Sequence, residues 1–476
     1  MKYITYLILT FIFLSCSKNE LNFAEIGDYE ILEGYTDKNS YEIGDTVHFC
    51  LQSNLDTLAL IEINDINDNI IFSNLSFIKK QQINGSDPWK NGLGFDTTLS
   101  VVLDQSIFSN GLYFLATIPI IVKKKKYEST DLLVVLPTNT MIAYTVIGGK
   151  SFYKDLISDG IRADVLSFRR SYRKYGESQG GERLRVKPGV KWLYNQGYDI
   201  NFITDYDMDD PNYSLNSNMI VIVGHSEFWT RKARTNFDYH VDIGKNALIL
   251  SGNTMWKQVR YDDNGNRIFS YFDSQSKNDN HPEGLSTGFS GSESTSNYGS
   301  LSQFYSTTDY PIYPSIGADW FNGGYGYGNA ADTIGFGYEQ KGGYKILEYD
   351  SLIFAGTNLK ENDILNIPTR EYDGCIVSEF DSNNNPIFLS NLFYKTKFFG
   401  YDLANLSDHG VNIKYSAFFA FQKQYSSGVV INTSSMDWCY ETGLGSNHQF
   451  ATDINTITKN MINVLSSNNS STQLFD

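Results

Sequence analysis

Met219-Ile220-Val221-Ile222-Val223-Gly224-His225-Ser226-Glu227-Phe228 and Ala247-Leu248-Ile249-Leu250-Ser251-Gly252-Asn253-Thr254 decide how this chain is read. Each begins as an apolar run of strand length and ends in polar residues. The stretch between them, 229–244, reads as a helix, so the two form a strand–helix–strand unit. Ligands of open α/β sheets bind at the carboxyl ends of parallel strands. An imidazole (His225), a carboxylate (Glu227) and a carboxamide (Asn253) are therefore expected to converge.

The same pattern extends outward. Leu132-Leu133-Val134-Val135-Leu136 is apolar throughout, as a strand buried on both faces must be. Further strands are expected at 164–168, 198–204 and 246–250, with a helix at 181–196 interrupted by Pro188. The alternation predicts an α/β fold with a doubly wound, mostly parallel sheet of the flavodoxin or glutamine-amidotransferase kind over residues 131–470. Residues 254–372, rich in Gly, Ser, Asn and Tyr, read as an insertion that roofs a site. Beyond it come strands at 374–380 and 386–389, a helix at 412–424, a strand at 428–432 and a closing helix at 451–465. Upstream, residues 29–130 hold short strands at turn-punctuated intervals, the mark of an immunoglobulin-like antiparallel β-sandwich.

The chain has 476 residues, 41% apolar and 19% charged, with a formal charge of −16. That charge argues against a nucleic-acid partner, since the 54 acidic residues outnumber the 38 basic ones that would have to neutralise phosphates. The one basic run, Lys123 to Lys126, is expected to be a solvated hairpin edge. Lys2 is followed by an apolar stretch, 3–14, too short to span a bilayer, ending at Leu14-Ser15-Cys16. This resembles a bacterial lipoprotein signal: residues 1–15 would be removed, Cys16 lipidated, and 16–28 left as a tether. An exported protein held to a membrane only by its lipid is expected. Cys50, Cys375 and Cys439 show no metal-binding spacing and are expected to be buried thiols; a Cys375–Cys439 disulfide stays open.

Several motifs fall at predicted strand ends. They are Pro137-Thr138-Asn139-Thr140-Met141-Ile142-Ala143-Tyr144, Gly148-Gly149-Lys150-Ser151-Phe152-Tyr153, Ser167-Phe168-Arg169-Arg170-Ser171-Tyr172, Gly224-His225-Ser226-Glu227-Phe228-Trp229 and Ser251-Gly252-Asn253-Thr254. In this order the set resembles the C-terminal catalytic region of the N,N-dimethylformamidase large subunit. The resemblance implies an amidohydrolase acting on a small amide, with one ferric iron held by Tyr144, Tyr172 and Glu227. His225 and Asn253 would stand beside the metal, and Glu339 is the candidate for a further acid. Phenolate and carboxylate oxygens are hard donors suited to such an ion, which activates water and polarises a carbonyl. Arg169, Ser171, Ser226 and Phe228 depart from the family's residues, so the substrate is left open. The family's characterised enzyme has a small partner subunit, and a homo-oligomer is also open.

Other readings compete. Gly224-His225-Ser226-Glu227-Phe228 nearly matches a G-x-S-x-G nucleophile elbow, with His409 or His448 and Asp437 as partners. Phe228 in place of the last glycine opposes it. The Gly148-Gly149 pair reads as a turn rather than a phosphate cradle. A non-catalytic surface lipoprotein that binds glycans or peptides is the alternative outside enzymes.

Overall fold

A computed structural model describes residues 31–153, 156–171, 185–270, 311–327, 334–406 and 411–476. Cys16, the tether, Tyr172 and His409 lie outside the described residues. Seven strands come first: β1 (Ile31–Thr36), β2 (Thr46–Ser53), β3 (Thr57–Asp65), β4 (Ile70–Ile78), β5 (Leu99–Val102), β6 (Gly111–Leu115) and β7 (Ile118–Val122). They form two antiparallel sheets, ordered β1-β2-β5 and β4-β3-β6-β7. Alternate residues of these strands, among them Val47, Phe49, Ala59, Ile61, Ile63, Leu115 and Ile120, meet in one core. This is the expected antiparallel β-sandwich.

The remaining strands are β8 (Thr130–Leu136), β9 (Val165–Ser167), β10 (Ile200–Thr204), β11 (Ser217–His225), β12 (Phe228–Thr230), β13 (Asn246–Gly252), β14 (Lys257–Tyr261), β15 (Arg267–Ser270), β16 (Asp319–Tyr325), β17 (Gly343–Ile346), β18 (Ile364–Asn366), β19 (Glu371–Gly374), β20 (Val377–Phe380), β21 (Pro386–Phe388), β22 (Lys395–Asn405), β23 (Ile413–Gln422) and β24 (Val429–Asn432). Eleven of them make one sheet, ordered β10-β8-β11-β13-β24-β23-β19-β16-β22-β17-β18. The first five run parallel. From β23 onward the pairings are antiparallel.

The expected doubly wound, mostly parallel fold of the flavodoxin or glutamine-amidotransferase kind is therefore corrected. The chain is mostly β, with a large mixed sheet and several antiparallel ones. Two misread segments account for much of the difference. The expected helix at 412–424 is β23, whose Ala417, Phe419 and Phe421 enter one core while Phe418 and Ala420 enter the other. That is the period of two of a strand, and Phe398 stacks on its cross-strand neighbour Phe419 with centroids 5.4 Å apart. Within 254–372, read as a roofing insertion, β16 and β19 pair inside the main sheet. The strand expected at 164–168 joins a separate sheet, β12-β14-β15-β9. Pro188 lies in the first turn of the Lys187–Asn195 helix rather than interrupting one, because its fixed φ and missing N–H suit that position.

In the parallel block, Leu132, Val134, Val221, Val223 and Leu248 enter one core, while Leu133, Val135, Ile220, Ile222 and Ile249 enter the other. The closing helix Ala451–Leu465 covers the first face with Ile454, Ile457 and Met461. The helix Arg231–Asp242 covers the second with Ala233, Phe237 and Val241. Leu112, Phe114 and Ile121 of the sandwich also enter the first core, joining the two parts. Cys50, Cys375 and Cys439 are buried free thiols.

Lys123–Lys126 is not simply a solvated edge. Lys123 pairs with the buried Asp207, Lys124 with Asp199, and Lys126 with Asp210 at 2.9 Å. Asp207 also accepts from the Thr204 amide (3.0 Å), the Thr204 hydroxyl (2.8 Å) and Ser40 Oγ (3.0 Å). Removing one member of a buried ion pair strands the other charge. Asp207→Ala is expected to destabilise the chain by about 3–5 kcal/mol, read as a lower urea midpoint. Lys124→Ala, whose partner Asp199 is half exposed, should cost less than about 1 kcal/mol.

Candidate active site

Four carboxyl ends in the parallel block aim at one place. After β8, Pro137 leads into the helix Thr138–Tyr144. Its residues bind the turn beyond β11: Asn139 Nδ2 donates to the Phe228 carbonyl (2.9 Å), and Thr140 Oγ1 accepts from the Glu227 amide (2.9 Å). The Asn139 amide donates to Asp205, which follows β10 (2.7 Å). These bonds place Tyr144, at the helix end, 3.3 Å from Glu227 Oε2.

β11 ends at His225, whose amide donates to the Tyr440 hydroxyl at 3.1 Å. Gly224 precedes it at φ +70°, and a Cβ there would meet Val186 Cγ1 at 2.3 Å and Tyr440 Cε1 at 2.7 Å. Only glycine combines that backbone with so close an approach. Beyond β13, Asn253 holds φ +50°, and the next amide, of Thr254, donates to Asp373 at 3.1 Å. Burial pushes the Asp373 carboxyl up to about 8.

The functional atoms gather around His225 Nε2. It lies 3.4 Å from Glu227 Oε2 and 3.2 Å from Glu371 Oε2. Asn253 Nδ2 lies 3.4 Å from it and donates to Glu371 Oε2 at 3.0 Å. The Tyr153 hydroxyl donates to Glu227 Oε2. Burial pushes the Glu227 carboxyl up to about 7, with His225 opposing the shift. Burial, and then the Glu227 charge, hold the Tyr144 phenol well above its usual range.

The structure thus brings together Tyr144, His225, Glu227 and Asn253. It does not bring Glu339 to them. That side chain is half exposed and pairs with Lys341, and the further acid beside His225 is Glu371. Sequence reasoning missed Glu371 because it opens a four-residue strand with no motif around it. Tyr153, which closes the Gly148–Tyr153 motif, also reaches Glu227, a contact the motif alone does not assign. Ser151 Oγ donates to the Ala143 carbonyl (2.7 Å) and accepts from the Tyr153 amide (3.1 Å), which folds that loop back onto the helix end.

One buried cation holds these pieces in register. The Arg170 guanidinium donates to the carbonyls of Ile142 (2.7 Å), Thr145 (3.2 Å), Ile147 (3.0 Å), Lys150 (3.0 Å) and Ser167 (3.0 Å). It joins the end of the Tyr144 helix, the glycine loop and β9. Arg170 precedes Tyr172 by two residues.

Among the described residues the serine-nucleophile constellation does not form. Ser226 Oγ accepts from the Trp229 indole at 2.8 Å. Asp437 is held by Arg370, with Nε 3.0 Å from Oδ1. His448 packs on Phe450 with centroids 4.9 Å apart.

Residues 113–449 match the family described as N,N-dimethylformamidase beta subunit-like, C-terminal, and the chain belongs to that family. The match begins within β6, whose Phe114 enters the core under the parallel strands. No curated protein matches the chain.

The donor set suits a hard cation. Tyr144 and Glu227 present phenol and carboxylate oxygens side by side, the ligand chemistry of ferric iron. Asn253 Oδ1, buried in the same cluster, has no hydrogen-bond partner among the described residues. Among the described residues no group of three or more His, Cys, Asp or Glu has metal-holding geometry. A cation here would therefore depend on phenolate oxygens.

Two measurements test this geometry. A Cβ on Gly252 would meet the Met436 amide nitrogen at 2.5 Å and the Glu371 carbonyl at 2.6 Å, both backbone atoms. Gly252→Ala is expected to cost at least about 1–3 kcal/mol, seen as a lower melting temperature. A fluorophosphonate probe is expected to leave the protein unlabelled, and labelling at Ser226 would restore the serine-nucleophile reading.

Proposed function

We propose that this chain hydrolyses the C–N bond of a small amide, using a mononuclear iron held by Tyr144, Glu227 and Tyr172. The observation that carries the reading is the convergence of Tyr144, Glu227, Glu371 and Asn253 around His225. Family membership supports it independently. Ferric iron, when bound, would polarise the amide carbonyl and lower the pKa of a water ligand.

The chain's own residues would do the rest. Tyr144 and Glu227 supply anionic oxygens from a helix end and a strand end, both fixed by backbone hydrogen bonds. Glu371 is the general base for the attacking water, because its carboxylate lies beside His225 and accepts from Asn253. His225, between two carboxylates, holds the proton that the departing amine requires. Asn253 Oδ1, unpartnered among the described residues, can orient the substrate or water. Burial of His225 and Glu227, with Tyr144 partly buried beside them, limits access of bulk water and strengthens the charge interactions among them.

Soluble protein lacking residues 1–16 is expected to carry near-stoichiometric iron with a tyrosinate-to-iron absorption band. It should also release amine from a formamide or related small amide. Glu227→Gln is expected to lose the iron and at least about 100-fold in kcat/KM, more than 2.7 kcal/mol of transition-state stabilisation. Metal-free wild-type protein, with a Glu227→Ala variant that behaves like it, would favour the non-catalytic glycan- or peptide-binding reading. We also infer, from residues 2–16 alone, an exported lipoprotein anchored through Cys16. Labelled fatty acid should enter the wild-type chain and not Cys16→Ala.

A further inference from the structure

We propose that Tyr153 is a positioning residue that aims the Glu227 carboxylate at the metal. The inference deepens the hydrolase reading and rests on it. Two phenols reach the same carboxylate oxygen: Tyr144 lies 3.3 Å from Glu227 Oε2, and the Tyr153 hydroxyl donates to it. Their rings pack with centroids 4.2 Å apart. They differ in what lies beyond. Tyr144 faces the His225 ring at 5.3 Å, on the side of the catalytic groups. Tyr153 stands edge-on to Phe228 at 6.2 Å, on the side of the following strand. Tyr144 is thus placed as a ligand, and Tyr153 as the protonated donor that fixes the ligand's carboxylate.

The loop that delivers Tyr153 is held to one shape. Ser151 Oγ bridges the Ala143 carbonyl and the Tyr153 amide. The Phe152 amide donates to the Ala143 carbonyl at 3.1 Å, and its buried ring packs on Phe228 at 5.6 Å. Arg170 holds the carbonyls of Ile147 and Lys150. Gly148 and Gly149 take φ of +92° and +102°, and a Cβ on Gly148 would lie 2.9 Å from the Trp89 amide nitrogen. A hydrogen bond to a ligating carboxylate orients it, and losing such a partner typically weakens metal affinity 10–100-fold.

Tyr153→Phe in the full chain removes one oxygen and keeps the ring. Iron affinity, measured by chelator competition, is expected to fall 10–100-fold, with the tyrosinate band retained once iron is saturating. Unchanged affinity would overturn the proposal. So would loss of the band to the extent seen in Tyr144→Phe, since Tyr153 would then be a ligand itself. A second arm uses the metal-free chain. Tyr153→Phe should lower its melting temperature in the wild-type background but not in Glu227→Ala, where the acceptor is gone. Equal losses in both backgrounds would also overturn the proposal. If the wild-type chain takes up no iron, the hydrolase reading fails, and this second arm alone decides whether Tyr153 sets Glu227.

Discussion

Burying the Glu227 carboxylate at the end of β11 is the constraint around which this molecule is arranged. An isolated carboxylate out of water is costly unless it is paired and hydrogen-bonded. Here the surroundings supply the compensation from three stretches of chain: the Thr138–Tyr144 helix, the loop that carries Tyr153, and the strand end at His225. Thr140 takes the Glu227 amide, Tyr144 and Tyr153 approach its side-chain oxygen, and His225 lies 3.4 Å away. Even so, burial leaves the group's proton affinity raised. A buried cluster of carboxyl and phenol oxygens is a place where a cation would be stabilised.

Arg170 meets the converse requirement. A guanidinium with no exposed surface is satisfied by donating to five backbone carbonyls from three segments. Those carbonyls belong to a helix end and to a loop and strand end, where backbone acceptors lack regular partners. The same bonds that satisfy the buried cation therefore fix the helix that carries Tyr144 and the loop that carries Tyr153. Each burial solves a local problem and, in doing so, sets the geometry of the site.

The parallel strands were legible because their period carries their environment. Leu132 to Leu136, Met219 to Val223 and Ala247 to Leu250 are apolar on both faces, which a strand between two cores requires. His225, Glu227 and Asn253 could then be placed at strand ends. β23 reads as a helix in sequence because Ala417-Phe418-Phe419-Ala420-Phe421 is apolar without a break, and such a run does not distinguish a buried helix from a buried strand. Its assignment follows from ten-residue pairing with β22, a partner the local sequence does not reveal. β16, with Phe321-Asn322-Gly323-Gly324-Tyr325, resembles a loop in composition. It is a strand because Gly323 and Gly324 admit the close approach of Tyr372, Gly374 and Asn405 backbone atoms.

By itself the sequence determined the parallel strands, the closing helix, the sandwich ahead of them and the motif residues that meet at Glu227. Each of these rests on short-range information: periodicity, turn residues, or a polar group directly after an apolar run. The tertiary structure decided the antiparallel continuation of the sheet, the exclusion of Glu339, and the arrival of Glu371 and Tyr153. Glu371 reaches His225 across 146 residues of chain. Such contacts depend on the packing of whole strands, and local patterning carries no record of them.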